Sequence, residues 1–240
     1  ALPISLLHAG GYCSLAIDTE TEAVLGAALG FPARDASLPG GVYLHSHMAA
    51  AMPGMQDRGI GTALKRHQRE WALAEGIPVV AWTFDPLVQR NAYLNLVRLG
   101  VRVPRFYPDF YGVMTDAINA GDRTDRLLAW WEVGSDRAGE AATGQLQPVP
   151  EAEARASGAV DLVKIDSHGV PALCASPRRG GTYLIALPAD IVALRSKDRD
   201  LALSWRMAVR EALAESYAQG LEVDAITVSG SFVVRPAKEK

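Results

Sequence analysis

The stretch Gln56-Asp57-Arg58-Gly59-Ile60-Gly61 has the residue types and spacing to hold a phosphate. Two glycines one residue apart let the backbone approach a ligand closely. A helix that opens behind them offers unpaired N–H groups and the positive end of its dipole. A pyrophosphate suits such a site. A Walker loop would end in Gly-Lys-Ser/Thr, and Gly61-Thr62-Ala63 does not. A dinucleotide fingerprint would need a small residue where Leu64 stands, although Asp85 ends the next strand about where a ribose-binding acid would sit. Upstream, His45 and His47 are spaced by two on a strand and so share a face. Their ordinary pKa suits a general base. Asp85 suits either an amine-binding or proton-accepting role, or a turn-capping role before Pro86.

The elements that must position these residues are legible in the pattern. Tyr12–Ile17 reads as a strand, residues 23–31 as its antiparallel partner, and residues 42–50 as a third strand that leads to the break Met52-Pro53-Gly54. Ile60, Leu64, His67, Trp71 and Ala74 recur at helical spacing and predict one buried face, with Lys65, Arg66, Arg69 and Glu70 on the other side. Val79–Phe84 is an apolar run suited to a central strand, residues 88–99 read as a second helix stopped by Gly100, 101–111 as an irregular strand, and 127–133 as a last strand. Residues 135–158 have the composition of a linker. Beyond them, 161–165 and 182–187 predict paired strands, 198–219 a helix with Ala202, Trp205, Val209, Ala212 and Ser216 on one stripe, and 223–228 and 232–235 two more strands. The fold class expected is α/β in the α+β sense. It has a mixed, mostly antiparallel sheet with flanking helices over 1–134, a linker over 135–158, and a second, smaller β-β-α-β-β unit over 159–240.

The bulk properties exclude some functions. The chain has 240 residues, 49% hydrophobic and 21% charged, with a net charge of -3. That balance is ordinary for a globular protein and leaves no electrostatic footprint for nucleic acid. No apolar run is long enough to span a bilayer, and no signal-peptide pattern opens the chain. Cys13 and Cys174 lie far apart and form no metal or redox pair, so a reduced cytoplasmic setting is expected. The chain opens at Ala1 rather than Met, so further native N-terminal sequence is expected ahead of it.

One family brings these observations together. The pattern Gln/Arg-x-x-Gly-x-Gly, matched at Gln56, Gly59 and Gly61 with Arg58 as a second basic residue, resembles the acyl-CoA loop of the GNAT N-acetyltransferases. The element order from Tyr12 to Val133 is similar to that fold, and Leu99-Gly100-Val101 is similar to the Leu-Gly-Phe that closes its second helix. The resemblance covers roughly the first half of the chain. More narrowly, Trp82-Thr83-Phe84-Asp85-Pro86-Leu87, Arg90-Asn91-Ala92 with Asn95-Leu96, Tyr107 with Tyr111-Gly112, and Thr124-Asp125-Arg126-Leu127 look like a subgroup of predicted GNAT proteins whose acceptor the name does not imply.

The resemblance implies an acetyl-CoA-dependent N-acyltransferase acting on the amine of a small molecule, with no metal and no nucleic-acid partner. It implies that the strand carrying His45 and His47 splays from that carrying Trp82, and that pantetheine bonds near Ala50, Ala51 and Met52. The pyrophosphate would then meet Gln56, Asp57, Arg58, Gly59, Ile60, Gly61 and Thr62, with Asn91 near the second helix start. His45 or His47 is the expected base, with Asp85 as another acid–base candidate. Many members carry a tyrosine that protonates the departing thiolate; alignment on Leu99-Gly100 puts Leu96 there, and Tyr93 substitutes only if the helix register differs. Tyr107 and Tyr111 are further candidates. Arg102, Arg105, Tyr107 and Asp109 form either an acceptor-binding cluster or a solvated loop. The second unit is expected to cover the acceptor pocket, mediate homodimerisation or stabilise the first. A non-catalytic acyl-CoA-binding module is the alternative class, and a dinucleotide-binding oxidoreductase a lower one.

Overall fold

The computed structural model describes residues 2–55, 58–112 and 123–237. In chain order the elements are α1 (Leu2–His8), β1 (Tyr12–Ile17), β2 (Val24–Arg34), β3 (Val42–Ala51), α2 (Ile60–Ala74), β4 (Val79–Phe84), α3 (Gln89–Tyr93), β5 (Arg102–Tyr107), β6 (Arg126–Glu132), α4 (Asp136–Ala142), α5 (Glu151–Ala156), β7 (Val160–Ile165), β8 (Pro171–Leu173), β9 (Tyr183–Ile185), α6 (Ile191–Lys197), α7 (Arg199–Ala218), β10 (Leu221–Ile226) and β11 (Phe232–Pro236). A one-turn 3-10 helix at Pro39–Gly41 precedes β3, and a π-helix at Leu94–Arg98 continues α3. The fold is α+β and mixed, and most strand pairs are antiparallel. None of the described helices is long and apolar enough to cross a membrane.

The chain divides into two compact units, and each draws on several stretches of sequence. The first comprises residues 1–82, 98–101 and 130–145; the second comprises 83–97, 102–129 and 146–240. Residues 135–158, linker-like in composition, form α4 and α5, whose Ala138, Ala141 and Ala154 are buried.

In the first unit β1, β2 and β3 form an antiparallel meander, and β4 joins β3 in parallel. The β3–β4 ladder has two rungs, Leu44↔Val80 and His45↔Ala81. The β2–β3 register shifts between Leu29 and Gly30, so His47 falls at a bulge. Helix α2 spans the residues that the sequence marks, but its buried face is Ile60, Leu64, Lys65, Gln68 and Ala72. His67 and Ala74 are exposed. The face is rotated toward Lys65 and Gln68, because those two side chains find polar partners inside. Gly26 on β2 permits the close approach of this helix: a Cβ there would lie 2.7 Å from the Ala50 carbonyl and 2.9 Å from Ile60 Cγ2.

In the second unit β5, β10, β11, β9, β7 and β8 are successive neighbours. The expected pair of strands, β7 and β9, run parallel; β8 is an added edge strand antiparallel to β7. The β5–β10 pairing has a single register pair, Val223↔Val103. There the Tyr217 hydroxyl donates to the Val103 carbonyl at 2.6 Å and accepts from the Val223 amide at 3.3 Å. Burial holds that phenol far above its ordinary pKa, so it stays a neutral donor. Trp205 on α7 donates Nε1–H to the Gly169 carbonyl at 3.1 Å, which anchors the helix.

Candidate functional site

The glycine loop leads into α2 through Gly59, whose φ of 78° lies in the left-handed region that glycine adopts without cost. The first bond of the helix is from the Ala63 amide to the Gly59 carbonyl at 2.9 Å. By helix geometry the amides of Ile60, Gly61 and Thr62 have no intrahelical acceptor, and no side chain caps them from Gly59. A Cβ on Gly61 would meet nothing within 4 Å, so open space lies beside this turn. Arg58 is exposed, with its guanidinium 3.0 Å from Met55 Sδ. Gln56 and Asp57 lie outside the described residues.

Upstream, Ala50 is exposed and Ala51 half-buried at the end of β3, where they pair with Ala27 and Gly26. Met52 differs from expectation. Its amide donates to the Leu25 carbonyl at 2.8 Å and its carbonyl accepts from Met55 at 2.9 Å, because the chain keeps to β2 for one residue past the strand. Its N–H is therefore not available to a ligand.

His45 and His47 do share a face, with ring centroids 6.2 Å apart, and His47 packs on Phe31 at 5.1 Å. Burial first, then the nearby His47 and Lys65, hold His45 below its ordinary pKa. A neutral imidazole near pH 7 is the form that accepts a proton.

Sequence reasoning placed Lys65 outside, yet the residue is 6% exposed. Its Nζ donates to Ser46 Oγ at 2.8 Å and to Gln68 Oε1 at 3.0 Å, and lies 3.6 Å from the centre of the Trp82 ring. Burial pulls its pKa down to about 7. Trp82 in turn meets Trp131 edge-on at 6.0 Å. Two signals in the sequence point to this arrangement: Gln68 one turn after Lys65, and Ser46 in step with the buried Leu44 on β3.

The remaining residues belong to the second unit. Asn91 is exposed on α3, and Tyr93 is half-buried at its end. The π-helix begins directly after Tyr93. Leu96 is 1% exposed within it, and the buried Asn95 amide nitrogen has no hydrogen-bond partner among the described residues. Asp85 accepts two parallel bonds from Arg206 at 2.9 and 2.8 Å, one from Arg195 at 2.8 Å and one from the Leu87 amide at 2.9 Å. Burial alone would raise its pKa; Arg206 first, then Arg195 and Leu87, outweigh it and bring it down to about 2. Such a carboxylate anchors cations and does not take a proton from an amine near neutral pH, which corrects the acid–base expectation. Arg210 similarly spans Asp109 and Asp125, and Arg102 faces Glu222 at 3.7 Å. The Asp-Pro-Leu and Thr-Asp-Arg-Leu stretches thus feed an ion-pair network with α6 and α7. No group of three or more His, Cys, Asp or Glu placed to hold a metal ion occurs among the described residues.

No family model matches the chain, and no curated protein matches it. Solved structures do, at 17% identity. A GNAT family acetyltransferase from Elizabethkingia anophelis with acetyl-CoA bound aligns over 55% of this chain and 81% of its own, with a TM-score of 0.42. An acetyltransferase from Bacillus subtilis in complex with CoA aligns over 55% and 82%, with a TM-score of 0.42. Naa20 from Chaetomium thermophilum, in complex with a bisubstrate analogue, aligns over 59% and 77%, with a TM-score of 0.43. These alignments span about half of this chain and roughly four-fifths of each of those structures.

Proposed function

We propose that this chain binds acyl-CoA, with acetyl-CoA as the foremost donor, and moves the acyl group directly to the amine of a small molecule. One observation carries the reading: a left-handed glycine opens α2 with no side-chain cap and with open space at Gly61. Three amides and the helix dipole then converge on one spot, which favours a diphosphate. Arg58, exposed beside them, adds a charge-assisted bond. Ala51, whose pairing with Gly26 falls between hydrogen-bonded rungs, offers backbone groups to the pantetheine arm. The amine must lose a proton as its nitrogen attacks the thioester carbon and the CoA thiolate leaves. His45, neutral near pH 7, receives that proton directly or through a water, and His47 is the second candidate. Tyr93, half-buried directly ahead of the π-helix, is the candidate donor to the thiolate.

Calorimetric titration with CoA and acetyl-CoA tests the binding step. Gly61→Val fills the open space without a backbone penalty, since Gly61 has no positive φ. It is expected to weaken CoA by at least about tenfold, or ~1.4 kcal/mol, with little change in melting temperature. Unchanged affinity in this variant would overturn the reading.

A second reading, a non-catalytic acyl-CoA binder, is favoured by two observations. The buried Leu96 stands where the resemblance puts an acid, and Asp85 is committed to arginines. Thiol release with a panel of amines separates the two, because a binder retains CoA and releases none.

A further inference from the structure

Past the last rung of the β3–β4 ladder, His45↔Ala81, the next residues are Ser46 on β3 and Trp82 on β4. Lys65 is fixed to both of them, through the Ser46 hydroxyl and the Trp82 ring face. Gln68 Oε1 takes a further N–H one turn along α2. A lysine ammonium has three donors and no acceptor; here a hydroxyl, an amide oxygen and a π-face surround it. All three partners are neutral, and lysine is seldom buried to this degree. A well-packed apolar side chain would fill the same volume without the cost of taking a charge out of water. The lysine head does what an apolar residue cannot: it ties a helix to two strands at the point where their ladder ends. Lys65 also lies four residues after Gly61, on the same side of α2 as the glycine turn.

We infer that Lys65 is a positioning residue, pinning β3 and β4 where their ladder stops and thereby fixing the first turn of α2. What that turn holds rests on the acyl-CoA reading; the pin does not.

The test uses the full chain with Lys65→Met, which keeps length and loses the head, and Ser46→Ala, which keeps the lysine and loses one bond. Amide hydrogen exchange on ligand-free protein is expected to be faster in both variants over the first turns of α2 and the end of β3. Lys65→Met is expected to melt at the wild-type temperature or above, while its CoA affinity falls by roughly tenfold. Those opposite signs separate positioning from general support of the fold. Exchange at the wild-type rate in both variants would overturn the pin. So would a loss of CoA affinity that merely tracks a lowered melting temperature in both. A wild-type protein that binds no CoA would sink the acyl-CoA reading alone, and the exchange data would still decide the pin.

Discussion

Asp85 and Lys65, both largely removed from water, are handled in opposite ways. Asp85 is neutralised by Arg206, itself 1% exposed, and by Arg195. Asp85→Asn would leave Arg206 buried with its bidentate partner gone, and a loss of about 3–5 kcal/mol is expected in urea unfolding. Lys65 instead has neutral partners, and its pKa falls from 10.5 to about 7. Between those values the unfolded chain holds a proton that the folded protein lacks. Stability therefore rises with pH across that window, by up to ~1.4 kcal/mol per pH unit from this one group. The difference in unfolding free energy between wild type and Lys65→Met should move in favour of wild type from pH 7 to pH 10; a flat difference would show that the amine is not desolvated. The sequence offered Asp85 two roles, and the turn role is present in the Leu87 amide bond. Its arginine partners lie more than a hundred residues away, beyond what local spacing reveals. Lys65 was misplaced for another reason. Helical periodicity fixes the buried stripe only to within a residue or so, and a charged side chain carries no sequence mark of the neutral partners that let it turn inward.

At the scale of elements, the long periodic segments were legible and the short ones were not. Helix α2 and strands β1 and β4 fall where the pattern puts them, because an apolar face or a continuous apolar run fixes both type and extent. The pattern over 88–99 predicts one helix; the switch to a π-helix at Leu94 has no periodic signature of its own. Helices α1 and α6 and strand β8 have three to seven residues each, too few to show a period. They depend on what they pack against, such as Leu6 under Gly11 for α1. Contact also governs Gly26, where β2 approaches α2. Gly26→Val should push Ile60 and the start of α2 away, costing about 1–3 kcal/mol by denaturant titration and weakening CoA alongside.

At the scale of the whole chain, composition suggested breaks near 134 and 158, whereas the polypeptide passes between the two compact units five times. Composition reports local polarity, and it is silent on which distant segments pair. The second unit joins two distant stretches of sequence: Asp85, Asp109 and Asp125 in one, and Arg195, Arg206 and Arg210 in the other. A fragment of residues 1–134 removes all three arginines and leaves Asp85, Asp109 and Asp125 without them, so it should melt well below the full chain by circular dichroism. Tyr217 carries a related consequence. Its phenol replaces a rung between two backbones, and a side chain has one fixed address in the sequence, unlike the repeating peptide groups of a ladder. Sliding β10 by a residue along β5 would strand that oxygen, so this seam has a single alignment where an ordinary pair of strands has several near-equivalent ones.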